Sequence, residues 1–108
     1  MHRKSRQTEP DAAWHDLFDV LGRRWTLRLL WEMDGEAALT YRELAARIPE
    51  MSTSVLTQRL RELRDAGQVE HVRGSGYRLT VLGCELRGHL ERLREWAGQV
   101  GFAAGPRP

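Results

Sequence analysis

A mainly α-helical domain with one small β-hairpin is the fold class that this sequence predicts, and three observations predict it. The first is the stretch Pro49 to Gly67, PEMSTSVLTQRLRELRDAG, where Ser52 stands at a helix N-cap position. Leu56, Leu60 and Leu63 follow it at spacings of four and three, so one face of this helix packs on a core. The second is a shorter helix before it, opened by the capping box Thr40-Tyr41-Arg42-Glu43 and closed by Pro49. The third is a pair of strand-like runs, Gln68 to Arg73 and Tyr77 to Leu79, around the loop Gly74-Ser75-Gly76. Helix, turn of about four residues, helix and hairpin are the parts of a winged helix-turn-helix.

Composition sets the outer limits. The 108 residues make one domain, able to bury roughly two-thirds of the surface that its unfolded chain exposes. Cys84 is the single cysteine, so an intramolecular disulfide and a cysteine-based zinc site are both excluded. No run of apolar residues approaches the ~20 that span a bilayer. The basic start is not followed by an apolar stretch, so no signal peptide is read there. The expected place is the reducing cytoplasm. Formal net charge is +2, and Lys4 is the only lysine among the cations. Arginine is the planar, bidentate choice for phosphate and guanine, although a GC-rich genome would produce the same bias.

The elements follow in order. Residues 1–10 hold Arg3, Lys4 and Arg6 with a terminal Pro10, and read as a disordered basic arm. A plain solvated tail is the simpler interpretation; an arm that brushes DNA is the sharper one. Residues 11–101 are read as the winged helix-turn-helix domain, expected from its elements to bind DNA and dimerise, and 102–108 as a flexible tail. From Asp11, a candidate N-cap, Trp14, Leu17, Phe18 and Leu21 repeat at helical spacing up to Gly22. The next helix, about Arg24 to Met33, has so little polar face that it belongs in the interior. Arg23 and Arg24 stand at its start, where the helix dipole disfavours cations. Either a bound phosphate offsets them or both point to water.

Asp34-Gly35 stops that helix, and Ala37 to Leu39 fit a short strand. Tyr41, Leu44, Ala45 and Ile48 then make the apolar stripe of the short capped helix. On the helix after Ser52 the opposite face carries Ser54, Thr57, Gln58, Arg61 and Arg64, with Thr53 in its first turn. A merely solvated face would more often mix Glu and Lys. Hydroxyls, an amide and guanidinium groups are the types that reach base edges and phosphates in a groove. Gly67 is the expected residue after the helix end. Arg73 and Arg78 sit on the hairpin, within reach of a phosphate or minor groove if the wing lies along a duplex. Thr80 caps a last helix on which Leu82, Leu86, Leu90, Leu93, Ala97 and Val100 form a long stripe. So long a stripe on so small a domain predicts pairing with the same helix of a second subunit.

These residues resemble a known family. Leu21-Gly22-Arg23-Arg24-Trp25-Thr26-Leu27, Tyr41-Arg42-Glu43-Leu44, Ile48-Pro49, Ser52 and above all Leu56-Thr57-Gln58-Arg59-Leu60-Arg61-Glu62-Leu63 are similar to the HxlR-type regulators, bacterial winged-helix transcription factors related to the MarR type. Tyr77-Arg78-Leu79-Thr80-Val81-Leu82-Gly83 looks like the place where that family's wing runs into its last helix. The likeness spans about residues 11–100. It implies a homodimer built from the N- and C-terminal helices, with one recognition helix per major groove of an inverted repeat. Trp14, Leu17, Phe18, Leu86, Leu90, Leu93 and Trp96 are the residues expected at the dimer interface. Two departures limit what is carried over. Many members hold a cysteine near the start of the first helix, used by some as a thiol sensor, and here Ala12 and Ala13 stand in that region. The family's wing loop is usually longer and contains proline, so its wing-tip contact does not transfer to Gly74-Ser75-Gly76.

Other chemistry is thin. Cys84 lies in the first turn of the last helix between Leu82 and Leu86, which reads as a partly packed structural thiol. His15 and Asp19 lie four apart but lack a third metal ligand, and His89 does not pair with Cys84. Neither a phosphate loop nor a paired-carboxylate site is present, so an enzyme and a cofactor are not expected. Trp14, Trp25, Trp31 and Trp96 read first as core and interface packing, and second as a flat aromatic pocket between subunits for a small planar effector. The alternative function class is a winged helix that binds such an effector, or a protein partner, with little affinity for DNA. The polar face from Ser54 to Arg61 discriminates, since a protein-binding version has no need of it.

Overall fold

The computed structural model describes residues 10–33, 35 and 37–105. The expected basic arm therefore lies outside the described residues, apart from Pro10. Helix α1 (Pro10–Leu21) begins one residue before Asp11, with Pro10 in its first turn. Proline is at home there, because its missing N–H would have been unpaired. After α1 come α2 (Thr26–Glu32), α3 (Tyr41–Arg47), α4 (Thr53–Asp65), β1 (Val69–Val72), β2 (Gly76–Leu79) and α5 (Val81–Val100).

Helix α2 starts later than its composition predicts. Trp25, its N-cap, has φ 79° and ψ −13°, the left-handed region. A non-glycine residue pays roughly 1–2 kcal/mol to stand there. The turn it makes delivers Thr26, Leu29 and Leu30 into the core, and all three are buried. The helix is not interior all round, because Leu27 is 42% exposed. With only two turns, α2 offers the core one face, and Leu27 falls off it.

The two helices of the helix-turn-helix are capped as their letters require. The Thr40 hydroxyl accepts from the Glu43 amide at 3.1 Å, and the Glu43 carboxylate accepts from the Thr40 amide at 2.8 Å. The Ser52 hydroxyl accepts from the Val55 amide at 3.2 Å. At the far end of α4, Gly67 (φ 75°) allows its own amide to reach Arg64 O and the Gln68 amide to reach Leu63 O. This is the paired C-terminal bonding that a left-handed residue makes available. Leu44 and Ile48 from α3 and its cap, and Leu56, Leu60 and Leu63 from α4, close on Leu29, Leu30 and Met33 in one core.

The wing is a two-stranded antiparallel hairpin with Val69 opposite Leu79 and Val72 opposite Gly76. Its turn is thus Arg73-Gly74-Ser75, one residue earlier than the glycines suggest. Gly76 belongs to β2 because its backbone passes tightly against Leu39, where a Cβ would collide with the Leu39 carbonyl. The strand expected over Ala37 to Leu39 is reduced to a single bridge, Leu39 to Tyr77, with both N–H···O contacts at 2.7 Å.

Thr80 caps α5 by accepting from the Gly83 amide at 3.1 Å, while its hydroxyl donates to Gly67 O at 2.6 Å. Gly83 is buried against the Gln68 carbonyl, where no side chain fits. Because Gly83 takes the inward position, Cys84 next to it is exposed, which corrects the expectation of a partly packed thiol. Gly101 (φ 60°) ends the helix, and Phe102 turns back so that its ring centroid lies 6.0 Å from that of Trp96. No helix among the described residues is long and apolar enough to cross a membrane.

Candidate nucleic-acid interface

Helix α4 presents its polar side outward because its leucines are fixed inward. Thr53, Ser54, Thr57, Gln58, Arg61 and Arg64 are all exposed. Among the described residues Arg61 and Arg64 have no hydrogen-bond or ion-pair partner, so two full positive charges stand uncommitted on the second half of the helix. They border a recess of about 200 Å³ that is also lined by Tyr41, Thr57, Leu60 and Tyr77. Helix α3, helix α4 and the wing meet there.

Other predicted residues are engaged within the chain. Gln58 Nε2 lies 3.5 Å from a Glu62 carboxylate oxygen. Arg23 lies 3.6 Å from the same carboxylate, so an acid on α4 offsets the cation before α2 where a phosphate was one expectation. Arg24 lies over the Trp25 ring, 5.1 Å from its centroid. Arg78 pairs with Glu70 across the hairpin at 2.8 Å, whereas Arg73 on the turn is exposed and unpaired among the described residues. Ser52 is the cap of α4, and its hydroxyl sits 3.3 Å from that of Ser54.

Three residues that support this surface escaped the sequence reading. Arg59 donates through Nε to Arg24 O at 2.9 Å and pairs with Glu62 at 3.1 Å, binding the turn before α2 to α4. The Glu62 carboxylate takes Arg59, Arg23 and Gln58 together. Tyr41, whose ring is expected in the apolar stripe and whose hydroxyl the sequence leaves without a role, carries that hydroxyl to Thr53 O at 2.6 Å and to Thr57 Oγ1 at 2.9 Å. The available signal was its polar tip, since a half-buried tyrosine hydroxyl usually finds a partner.

The residues expected at a subunit interface divide into two groups. Leu86 and Leu90 pack partly against the core of their own chain, and Leu17 is half-buried. Trp14, Phe18, Leu93 and Trp96 are each more than half exposed, as are Val100 and Phe102. Trp14 and Phe18 meet edge to face at 4.6 Å. The tryptophans do not gather within one chain: Trp31 lies under Arg87, whose guanidinium is 4.3 Å from its centroid, and Trp96 neighbours Phe102.

A family model for the HxlR-like helix-turn-helix matches residues 20–103. The chain belongs to the HxlR family. Members of this family are transcriptional regulators and not enzymes, which implies DNA binding. Among solved structures, quinone-bound YodB from B. subtilis is 27% identical with a TM-score of 0.73, over 85% of this chain and 99% of that one. A protein named a possible HxlR family transcriptional factor, from Thermoplasma volcanium GSS1, is 25% identical with a TM-score of 0.70, over 79% and 81% of the two chains. A MarR-family regulator from Porphyromonas gingivalis W83 shares the fold at 19% identity, with a TM-score of 0.70 over 83% and 93%.

Proposed function

We propose that this HxlR-family protein is a homodimer that binds an inverted repeat in double-stranded DNA, with one copy of α4 in the major groove of each half-site. The observation that carries the reading is the outward face of α4, with Arg61 and Arg64 exposed and, among the described residues, uncommitted beside Ser54 and Gln58. Guanidinium groups in a major groove pair with guanine O6 and N7, while hydroxyls and amides take the other base edges. Arg73 on the wing turn is placed to meet backbone phosphate. Support for two copies comes from the apolar side chains of α1 and α5, Trp14, Phe18, Leu93, Trp96 and Val100, which a lone chain leaves exposed. A two-fold dimer requires a two-fold operator, with half-site centres about 10 base pairs or a multiple apart.

The same fold offers room for an effector. A groove of about 420 Å³ between α1, the end of α4 and α5 is lined by Leu17, Val20, Leu21, Asp65, Gln68 and Leu86. One matched relative is a quinone-bound protein, which favours a small planar compound in this role. The direct test is a mobility shift on the DNA upstream of the protein's own coding sequence, titrated with salt. Sequence-selective binding that weakens steeply as salt rises supports the reading. A winged helix serving only an effector or a protein partner would show neither selectivity nor a steep salt slope.

A further inference from the structure

We infer that Thr57 recognises thymine through its methyl group, and that Tyr41 is the positioning residue that commits it to this; the inference rests on α4 being the helix in the major groove. Thr57 is exposed on the outward face of α4. Its hydroxyl lies 3.0 Å from Thr53 O, one helical turn back, and 2.9 Å from the Tyr41 hydroxyl. The Tyr41 hydroxyl also lies 2.6 Å from Thr53 O. Two hydroxyl hydrogens therefore serve three oxygens that face one another. Whichever way the hydrogens are shared, that of Thr57 goes to Thr53 O or to Tyr41, and none is left to donate to a base.

A threonine hydroxyl in mid-helix often turns back to the carbonyl four residues earlier. Here the tie is reinforced from a different helix, because Tyr41 opens α3 and its phenol spans to the second turn of α4. What the exposed Thr57 side chain retains for a ligand is its γ-methyl and a hydroxyl oxygen that can only accept, and that oxygen is turned back toward Thr53 O and Tyr41. The complementary feature in a major groove is the C5-methyl of thymine, the one apolar group on a base edge there. Arg61 and Arg64 share the recess beside Thr57, so the methyl contact would sit next to their contacts with the same half-site.

The experiment selects binding sites from a random duplex pool and then replaces each dT of the recovered site by dU, which removes only the methyl. The wild type should lose about three- to fivefold in affinity at one thymine per half-site, the size expected from burying one methyl-sized group. Thr57→Val, which keeps a methyl and has no hydroxyl to turn, should keep that preference, and Thr57→Ser should lose it. Tyr41→Phe should reduce the dT-over-dU ratio by half or more, and the double variant Tyr41→Phe/Thr57→Val should restore it. If Tyr41 only braced the fold, Tyr41→Phe would weaken dT and dU sites alike, and the positioning role would be overturned. A recovered site at which wild type and Thr57→Ser respond equally to every dU would overturn the thymine contact while leaving DNA recognition intact. Recovery of no site would overturn both.

Discussion

Glu43 reaches back to the Thr40 amide, and that hydrogen bond, with a second from the Thr40 side chain, holds its carboxyl below the ordinary glutamate range. Arg47 adds a smaller pull in the same direction. A carboxyl with a lowered native pKa stabilises the fold once it is ionised. Its contribution is complete above the unfolded glutamate pKa of about 4.3 and disappears as pH falls through the lower native value. Urea melts of wild type and Glu43→Gln should therefore differ most above pH 5 and converge as pH drops below 4. A difference that is constant across this range would contradict the assignment. At this scale the letters were informative wherever a side chain bonds its own neighbourhood, as in the Thr40-Glu43 box and the Ser52 cap. They were silent at Gly83 and Cys84. The close approach there is between backbones, at a residue with no side chain, so the flanking leucines gave no hint that the thiol turns outward.

Among the elements, α4 depends on its first turn. Removing a capping hydroxyl leaves an amide of that turn without its partner and costs about 1 kcal/mol in most helices. Ser52→Ala should lower the unfolding free energy by about that much, measured by denaturant titration, and weaken DNA binding through fraying of the end that carries Thr53 and Ser54. Unchanged stability would mean that the 3.2 Å bond to the Val55 amide is replaced by water at no cost. The boundaries of α4 were legible because Ser52, Gly67 and three leucines at helical spacing all point to the same answer. Those of α2 were not. Its start is set by the left-handed Trp25, a tertiary demand of the core that overrides the helix-forming letters before it. The wing turn shifted for a related reason, since Gly76 is shaped by the passing Leu39 backbone and not by the turn itself.

For the whole molecule, the long leucine stripe of α5, expected to pair with a second subunit, is not uniform within its own chain. Leu86 and Leu90 lean on the core of their own chain, while Leu93 is exposed beyond it. Sequence spacing places residues on one face but does not say where along a helix the domain ends. Leu93 is therefore the position at which to test assembly, because a charge there leaves the core untouched. Leu93→Glu should keep the wild-type helix content but sediment as a monomer at micromolar concentration, lose the concentration dependence of its melting temperature and lose cooperative binding to paired half-sites. A wild-type protein that is itself monomeric under those conditions would sink the dimer.

The most direct test of DNA recognition by α4 is the ratio of affinities for a selected operator and for a scrambled duplex of equal length, measured for wild type and Arg61→Ala at fixed salt. The wild-type ratio should be at least about a thousand, in the range of specific regulators. Arg61→Ala should keep its affinity for the scrambled duplex within a few-fold and lose about 1–3 kcal/mol on the operator, with relaxed preference at one base pair per half-site. An Arg61→Ala protein that retains the full ratio and the same preferred sequence would contradict the account.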